Sequence, residues 1–387
     1  MKAVVLGAGM VGSVMAADLA GDAAFSVTVA DASEANLARV AERTRGRAKT
    51  VRVDLSDAAV LRGTIAEADI VLGALSSRIA FAALKTVIEA GKNFCDISFM
   101  AEDPLKLDEL AKAKGVTAVV DCGVAPGMSH MLAGYAAARL QPCERIEIYV
   151  GGLPRERRWP FEYKAAFSPA DVIEEYTRPT RLVEHGKVVV REALSEPELM
   201  DFAGVGTLEA FNTDGLRSLV RTLGGKVPFM KEKTLRYPGH IELMRVMRET
   251  GLFGEEPVAV RGAGGAEVQV RPRDLTAKLM FPKWTYGPGE EDLTVMRVLG
   301  DGMLNGKRTR LRWDLFDLYD KASQATSMAR TTAFPCAIVA RMIASGKWRK
   351  PGVFTPEFLG PEAGVLEHVL AEHVKRGVRY VTSTRAT

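Results

Sequence analysis

The stretch Lys2-Ala-Val-Val-Leu6-Gly7-Ala-Gly9-Met10-Val11-Gly12-Ser13-Val14-Met15-Ala-Ala-Asp-Leu19 decides the fold. Residues 2–6 are a short, mostly apolar run, the glycines spell G-x-G-x-x-G, and the apolar residues after them recur at helical period, so the stretch reads as strand, tight turn, helix. A lone glycine pattern arises by chance. Here it follows the first strand, and a second strand, Val27 to Ala30, ends in Asp31 roughly 20 residues later, the arrangement of a dinucleotide-binding unit. Gly7 makes the turn, Gly9 lets the backbone approach a pyrophosphate, Gly12 packs helix on strand, and Met10 and Val11 open the helix whose N-terminus holds the phosphates. Asp31 would accept hydrogen bonds from the adenosine ribose and repel a 2′-phosphate. Ala32 and Ser33 supply no arginine, so NAD is expected; Arg39 or Arg52 folding back would keep NADP open.

Working outward, strands at Thr50 to Val53, Asp69 to Leu75, Asn93 to Ile97 and Val116 to Val120 alternate with helices near 57–67, 81–91 and 104–114, a parallel, doubly wound pattern. Ligands collect at the carboxyl ends of such strands. That rim holds Asp54 and Leu55 for the adenine edge, Leu75, Ser76 and Ser77 for the nicotinamide ribose, and Asp96, Ser98 and Asp121. Helix capping is the competing role for Asp54, Ser76 and Ser77. The turn Cys122-Gly-Val-Ala125-Pro126-Gly127-Met-Ser-His130 leaves the sheet, and a domain boundary is placed there. Beyond it come strand candidates Ile146 to Val150 and Lys187 to Val190, a hairpin of Val295 to Leu299 with Thr309 to Leu315, helices over 241–253 and 326–346, and a turn at 262–265. The fold class is therefore α/β, an N-terminal Rossmann sheet followed by a mixed α/β substrate domain.

A chain of 387 residues exceeds what one core usually supports, and its 47% hydrophobic and 26% charged residues are globular averages. No apolar run is long enough to span a bilayer, and the N-terminus runs straight into the glycines without a cleavage site, so no membrane and a cytoplasmic protein are expected. A net charge of +4 is too small for a nucleic-acid footprint. Cys95, Cys122, Cys143 and Cys336 form no C-x-x-C pair, which argues for buried thiols and against a metal site or disulfides.

Several strings in order resemble the saccharopine dehydrogenase superfamily, specifically its L-lysine 6-dehydrogenase-like branch: D-C-G-V-A-P-G-M (Asp121 to Met128), Y-V-G-G-L-P (Tyr149 to Pro154), F-E-Y-K-A-A-F-S (Phe161 to Ser168), G-T-L-E-A-F-N-T-D-G (Gly206 to Gly215), K-T-L-R-Y-P-G-H (Lys233 to His240) and M-A-R-T-T-A-F (Met328 to Phe334). The resemblance implies a Rossmann domain (1–124), a second domain covering the cleft and supporting a homodimer (125–330), and a helical C-terminal segment (331–387) packing back on the first domain. It also implies oxidation at an amine-bearing carbon; for L-lysine the ε-amino group leaves as ammonia. Saccharopine reductases carry an aspartate before the Pro-Gly, where this chain has Ala125, which favours a smaller amine over a glutamate adduct. A saccharopine- or carboxynorspermidine-type reductase is the alternative, and a non-catalytic dinucleotide-binding protein a third reading.

Hydride transfer needs the amine lone pair free, so a proton acceptor is required beside positioning groups. His240, Tyr163 and Asp96 are the candidates, with helix capping the competing role for His240. A substrate α-carboxylate calls for a cation, and Arg217, Lys233 and Arg236 lie in or beside the strings, with Asn212 and Thr213 as neutral donors. His130 follows the Pro-Gly turn and is a candidate for facing the nicotinamide, with a structural role as its rival.

Overall fold

The structure is a computed structural model describing residues 1–165, 169–287 and 289–386; the end of the Phe161 to Ser168 string, Ala166 to Ser168, lies outside them. The chain divides into two compact units: Met1–Arg139 with Lys321–Ala325 and Ala329–Tyr380, and Leu140–Asp320 with Thr326–Met328 and the residues from Val381 onward.

The first unit is built on a parallel sheet. β1 (Lys2–Leu6), β2 (Ser26–Asp31), β3 (Ala48–Arg52), β4 (Ile70–Gly73), β5 (Asn93–Asp96) and β6 (Thr117–Val119) lie in the order β3-β2-β1-β4-β5-β6, and Gly352–Phe354 adds a seventh strand beside β6. Val4, Val5, Leu6, Val71 and Leu72 are buried whichever face they point to, the reason these strands read as continuous apolar runs. The order reverses between β1 and β4, so their carboxyl ends flank the crevice in which doubly wound sheets bind ligands. Helix α1 (Met10–Ala20) follows β1 directly. Asp57, not Asp54, caps the helix Ala58–Ile65, accepting from the N–H groups of Ala59 and Val60.

Two expected boundaries shift. The break placed after residue 124 falls after Arg139, because the helix Met128–Arg139 is buried almost all round within the first unit. Its Gly134 sits under the backbone of Glu357, where a Cβ would stand 2.1 Å from the carbonyl oxygen. The C-terminal segment is not simply helical either: it gives Gly352–Phe354 to the parallel sheet, while its last strand, Tyr380–Ala386, is an edge of the second sheet.

The second unit holds a nine-stranded mixed sheet. Its β7 (Cys143–Pro154) runs parallel to Phe229–Arg236 and antiparallel to Asp292–Leu304. Asp292–Leu304 and Lys307–Leu318 form the expected hairpin. They turn at Asn305-Gly306, whose φ values of 51° and 75° are the left-handed pair a tight two-residue hairpin demands. Tyr149, Leu153, Tyr176, Phe211, Leu235 and Trp284 form the core. The 262–265 turn joins Val258–Arg261 to Glu267–Val270, a small ribbon the sequence pattern did not signal. Among the described residues no helix is long and apolar enough to cross a membrane.

Candidate active site

The three glycines of the first unit are there for two different reasons. Gly7 has φ +97°, and a Cβ on it would stand 2.3 Å from the Ala74 carbonyl oxygen; on Gly12 it would stand 2.0 Å from the Gly7 oxygen. The chain itself demands both. A Cβ on Gly9 would meet nothing within 4 Å, and its φ of −65° suits any residue. No side chain caps α1, so open space lies beside N–H groups that no side chain answers, which fits a pyrophosphate. Met10 is exposed and Val11 half-buried at the same edge.

Asp31 accepts hydrogen bonds from the Ala8 N–H (2.6 Å) and the Ser33 N–H (2.7 Å), pinning the end of β2 to the glycine turn. A carboxylate has about four acceptor positions, which leaves capacity for ribose hydroxyls. Arg52 lies along this edge, its Nε donating to the Ala32 carbonyl at 3.3 Å and Nη1 standing 3.4 Å from Glu34, while Arg39 is turned onto Asn36. Asp54 is exposed; bonds from the Ser56 hydroxyl and N–H hold its carboxyl below the usual range. Leu55 beside it is buried. Ser76 is the N-cap residue of Ser77–Glu89 yet makes no capping bond, so its exposed hydroxyl remains available.

Asp96 ends β5 on the same rim and is 1% exposed. Its Oδ1 accepts from the Ser98 hydroxyl (2.8 Å), which itself accepts from the Leu75 N–H (2.9 Å). Gly73 leaves it room, since a Cβ there would stand 2.1 Å from Oδ1. Oδ2 has no hydrogen-bond partner. Burial, reinforced by the charge of Asp121, outweighs the Ser98 bonds and raises the carboxyl to about 7. Asp121 itself is buried just past β6 with φ +53°. Cys95, Cys122 and Cys336 are free, buried thiols held well up by burial and one another, which makes them unreactive. His130 is 0% exposed, with its Nδ1 3.0 Å from the Ser129 hydroxyl. That is a buried helical histidine, the structural alternative to a ligand.

In the second unit, polar groups gather on the strand Phe229–Arg236, whose alternation puts Glu232, Thr234 and Arg236 on one face and Lys233 on the other. Arg236, 3% exposed, spends nearly all its donors internally: Nε on the Tyr176 hydroxyl (3.2 Å), Nη1 on the Leu235 carbonyl (3.0 Å), Nη2 on Glu175 (2.9 Å) and the Tyr163 hydroxyl (3.4 Å). It organises the site rather than waiting for a substrate carboxylate. Lys233 is likewise engaged, by the Glu196 carbonyl (2.5 Å) and the Glu198 carboxylate (2.8 Å). Asn212 donates to Ser195 and Glu196, and Thr213 pairs with Thr234 at 2.9 Å. Arg217 is half-buried on a turn, with φ +43°.

His240 is neither proton acceptor nor cap. Its helix begins at His240 itself, with Gly239 as N-cap. The ring is wedged between the Phe161 carbonyl (Nδ1, 2.8 Å) and the Tyr176 hydroxyl (Nε2, 2.9 Å). A carbonyl can only accept, so Nδ1 carries the proton and Nε2 accepts from the tyrosine. Burial, then the Arg236 charge, push its pKa down to about 3. Tyr163 is buried against Arg236, and burial lifts its phenol well above the usual range, so it too holds its proton.

The Saccharopine dehydrogenase C-terminal domain matches residues 123–378, and the Saccharopine dehydrogenase NADP binding domain matches 3–119. The chain belongs to the saccharopine dehydrogenase family. The chain is 23% identical to mitochondrial alpha-aminoadipic semialdehyde synthase of Mus musculus over 96% of this chain and 47% of that one, so it spans about half the length of that relative. It is 22% identical to saccharopine dehydrogenase [NADP(+), L-glutamate-forming] of Schizosaccharomyces pombe, covering 80% of this chain and 83% of that one. It is 23% identical to carboxynorspermidine synthase of Vibrio cholerae, covering 94% and 93%. The fold is that of apo saccharopine dehydrogenase (L-Glu forming) from Saccharomyces cerevisiae, with a TM-score of 0.81 at 18% identity over 100% of both chains. The first unit of this saccharopine dehydrogenase family chain is thus a nicotinamide-dinucleotide-binding domain.

One residue escaped sequence reading. Glu232 is a buried carboxyl raised to about 8 by burial. The K-T-L-R-Y-P-G-H string starts one residue after it, and only the period-two alternation Glu232, Thr234, Arg236 ties it to the site.

Proposed function

We propose that this chain is an NAD-dependent oxidoreductase acting on an amine-bearing carbon of an amino acid, with L-lysine oxidised at its ε-carbon. The observation that carries the reading is Asp96: a buried carboxyl on the crevice rim of the dinucleotide unit, aligned by Ser98, with Oδ2 unpartnered and an affinity for protons matched to neutral pH. Asp96 Oδ2 takes a proton from the substrate ammonium, freeing the lone pair. The nicotinamide, when bound, accepts the hydride from that carbon. Water then hydrolyses the imine, so lysine, NAD⁺ and water give the 6-semialdehyde, NADH, ammonium and a proton. Within the second unit, Arg217 is the candidate for a substrate carboxylate. Asp31 supports NAD by repelling a 2′-phosphate, although Arg52 at the same edge leaves NADP a foothold. Ala125, in place of an aspartate, supports a small amine. A homodimer accompanies this reading as part of the family resemblance.

The relatives' names favour a second reading, an adduct-forming reductase of the saccharopine or carboxynorspermidine kind. NADH formation from NAD or NADP with lysine, ornithine, saccharopine and short diamines, followed together with ammonia release, separates the two. Stoichiometric ammonia from lysine supports deamination. Turnover of saccharopine alone replaces it with the second reading, and NADH binding without any turnover points to a non-catalytic protein.

A further inference from the structure

The end of β2, where an adenosine ribose meets a dinucleotide-binding sheet, carries a second pair of charges beside Asp31. Strand β3 runs parallel to β2 and sets Arg52 opposite Asp31. The Arg52 side chain turns back over the loop that follows β2: Nε donates to the Ala32 carbonyl at 3.3 Å, and Nη1 reaches the Glu34 carboxylate at 3.4 Å. Glu34 is the first residue of the helix Glu34–Arg43, and Ser33 is its N-cap. One guanidinium therefore lies along the segment from Ala32 to Glu34, directly after the acid that faces the ribose.

That guanidinium is weakly held. Both of its contacts are longer than charge-assisted hydrogen bonds normally are, and among the described residues its Nη2 has no partner. The side chains of Arg52 and Glu34 are 68% and 83% exposed, so their attraction contributes little and is easily exchanged for a stronger one. Arg39, the other cation of this edge, is already turned onto Asn36. Asp31, in contrast, is pinned through both oxygens by the Ala8 and Ser33 N–H groups, so its charge stays where it is. A fixed acid that disfavours a 2′-phosphate thus stands next to a cation whose planar fork suits one, and a second acid holds that cation back.

We propose that the Arg52–Glu34 pair sets the choice of cofactor: Arg52 receives the 2′-phosphate of NADP, and Glu34, by retaining Arg52, tips the balance toward NAD. This rests on the proposed function, which places the adenosine ribose at Asp31, and widens its cofactor from NAD to both dinucleotides. With NAD bound, Arg52 keeps the Glu34 and Ala32 contacts. With NADP bound, it exchanges the exposed carboxylate for the phosphate. Arg52 is then a specificity residue, and Glu34 a positioning residue that acts through it.

The test titrates NADH and NADPH by calorimetry into wild type, Glu34→Gln, Arg52→Gln and the double variant, with NADH as the control for folding. Wild type should bind both, NADH more tightly. Arg52→Gln should lower NADPH affinity about tenfold, the scale of a charge-assisted phosphate contact, and leave NADH affinity within about twofold. Glu34→Gln should raise NADPH affinity about threefold or more and leave NADH affinity unchanged. That gain should vanish in the double variant. A NADPH:NADH affinity ratio that Arg52→Gln does not alter overturns the assignment. A gain that persists in the double variant overturns the role given to Glu34, because the carboxylate would then repel the phosphate by itself rather than restrain Arg52. Ratios that shift as expected in a protein that oxidises no amine would remove the amine-oxidation reading and uphold the pair, whereas amine oxidation with unaltered ratios would do the reverse.

Discussion

Replacing Gly9 and Gly12 each by alanine separates a glycine kept for the ligand from one kept for the fold. At Gly12 the added Cβ lands 2.0 Å from the Gly7 carbonyl oxygen, a backbone atom that cannot swing aside. Overpacking of that kind costs about 1–3 kcal/mol, and in a unit of about 200 residues each kcal/mol moves Tm by about 2–4 °C. At Gly9 the Cβ meets nothing within 4 Å and φ is ordinary. Reduced freedom of the unfolded chain gains about 0.4–1 kcal/mol there, and the poorer N-cap propensity of alanine offsets a similar amount. Gly9→Ala should therefore unfold within a few degrees of wild type. Its affinity for NADH should fall at least about tenfold, about 1.4 kcal/mol, because the methyl occupies space a pyrophosphate would need. Thermal unfolding with and without NADH, together with titration of NADH by calorimetry, reads both quantities. Wild-type NADH affinity in Gly9→Ala would refute the placement of the phosphates at this turn, and a Tm loss equal to that of Gly12→Ala would show that Gly9 serves the chain instead.

Asp31→Asn keeps a partial partner for the Ala8 and Ser33 N–H groups while removing the charge that repels a 2′-phosphate, so the NAD:NADP affinity ratio should fall; an unchanged ratio removes Asp31 from cofactor choice. Asp96→Asn should lower turnover by about 10²-fold or more and erase a rise in kcat/KM as pH climbs through about 7. The same variant should be no less stable than wild type at pH 8: the folded pKa lies above the unfolded value, so ionisation of Asp96 erodes stability as pH rises from 3.8 toward 7, and the amide has nothing to ionise. A variant that keeps the rise in its pH–rate profile would exclude Asp96 as proton acceptor. For His240 the sign is opposite. Its folded pKa of about 3 lies below the ordinary 6.5, so its share of stability is complete above 6.5 and is lost as pH falls toward 3. His240→Asn should lose Tm at pH 8 and flatten the acid limb of Tm against pH, without removing any titration from the pH–rate profile between 6 and 8. A missing limb there would reinstate the histidine in catalysis.

What was legible in the sequence, and what was not, follows from the range of the forces involved. The dinucleotide unit is a local object: strand, glycines, helix and Asp31 lie within one continuous stretch of chain, so their spacing alone expresses the unit. The hairpin at Asn305-Gly306 was legible for the same reason, since two left-handed residues between alternating strands admit few other structures. The second unit resisted because its chemistry is assembled across strands. His240 looked like an acid–base group by residue type, but Tyr176, 64 positions away, and Phe161, 79 positions away, occupy both ring nitrogens. Arg236 and Lys233 looked like two cations of equal promise three residues apart. Strand alternation puts them on opposite faces, and Glu175 and Glu198 then hold them, so neither is left to meet a carboxylate. Glu232 stands between two lysines and drew no reading from the sequence. Its burial shows only when Gly215, on the turn after the neighbouring strand, is seen to make room for it, a relation that no period in the strand contains. The domain boundary moved for a kindred reason: the helix Met128–Arg139 follows the Pro-Gly turn in sequence, but the backbone it packs beneath is that of Glu357, more than two hundred residues later in the chain.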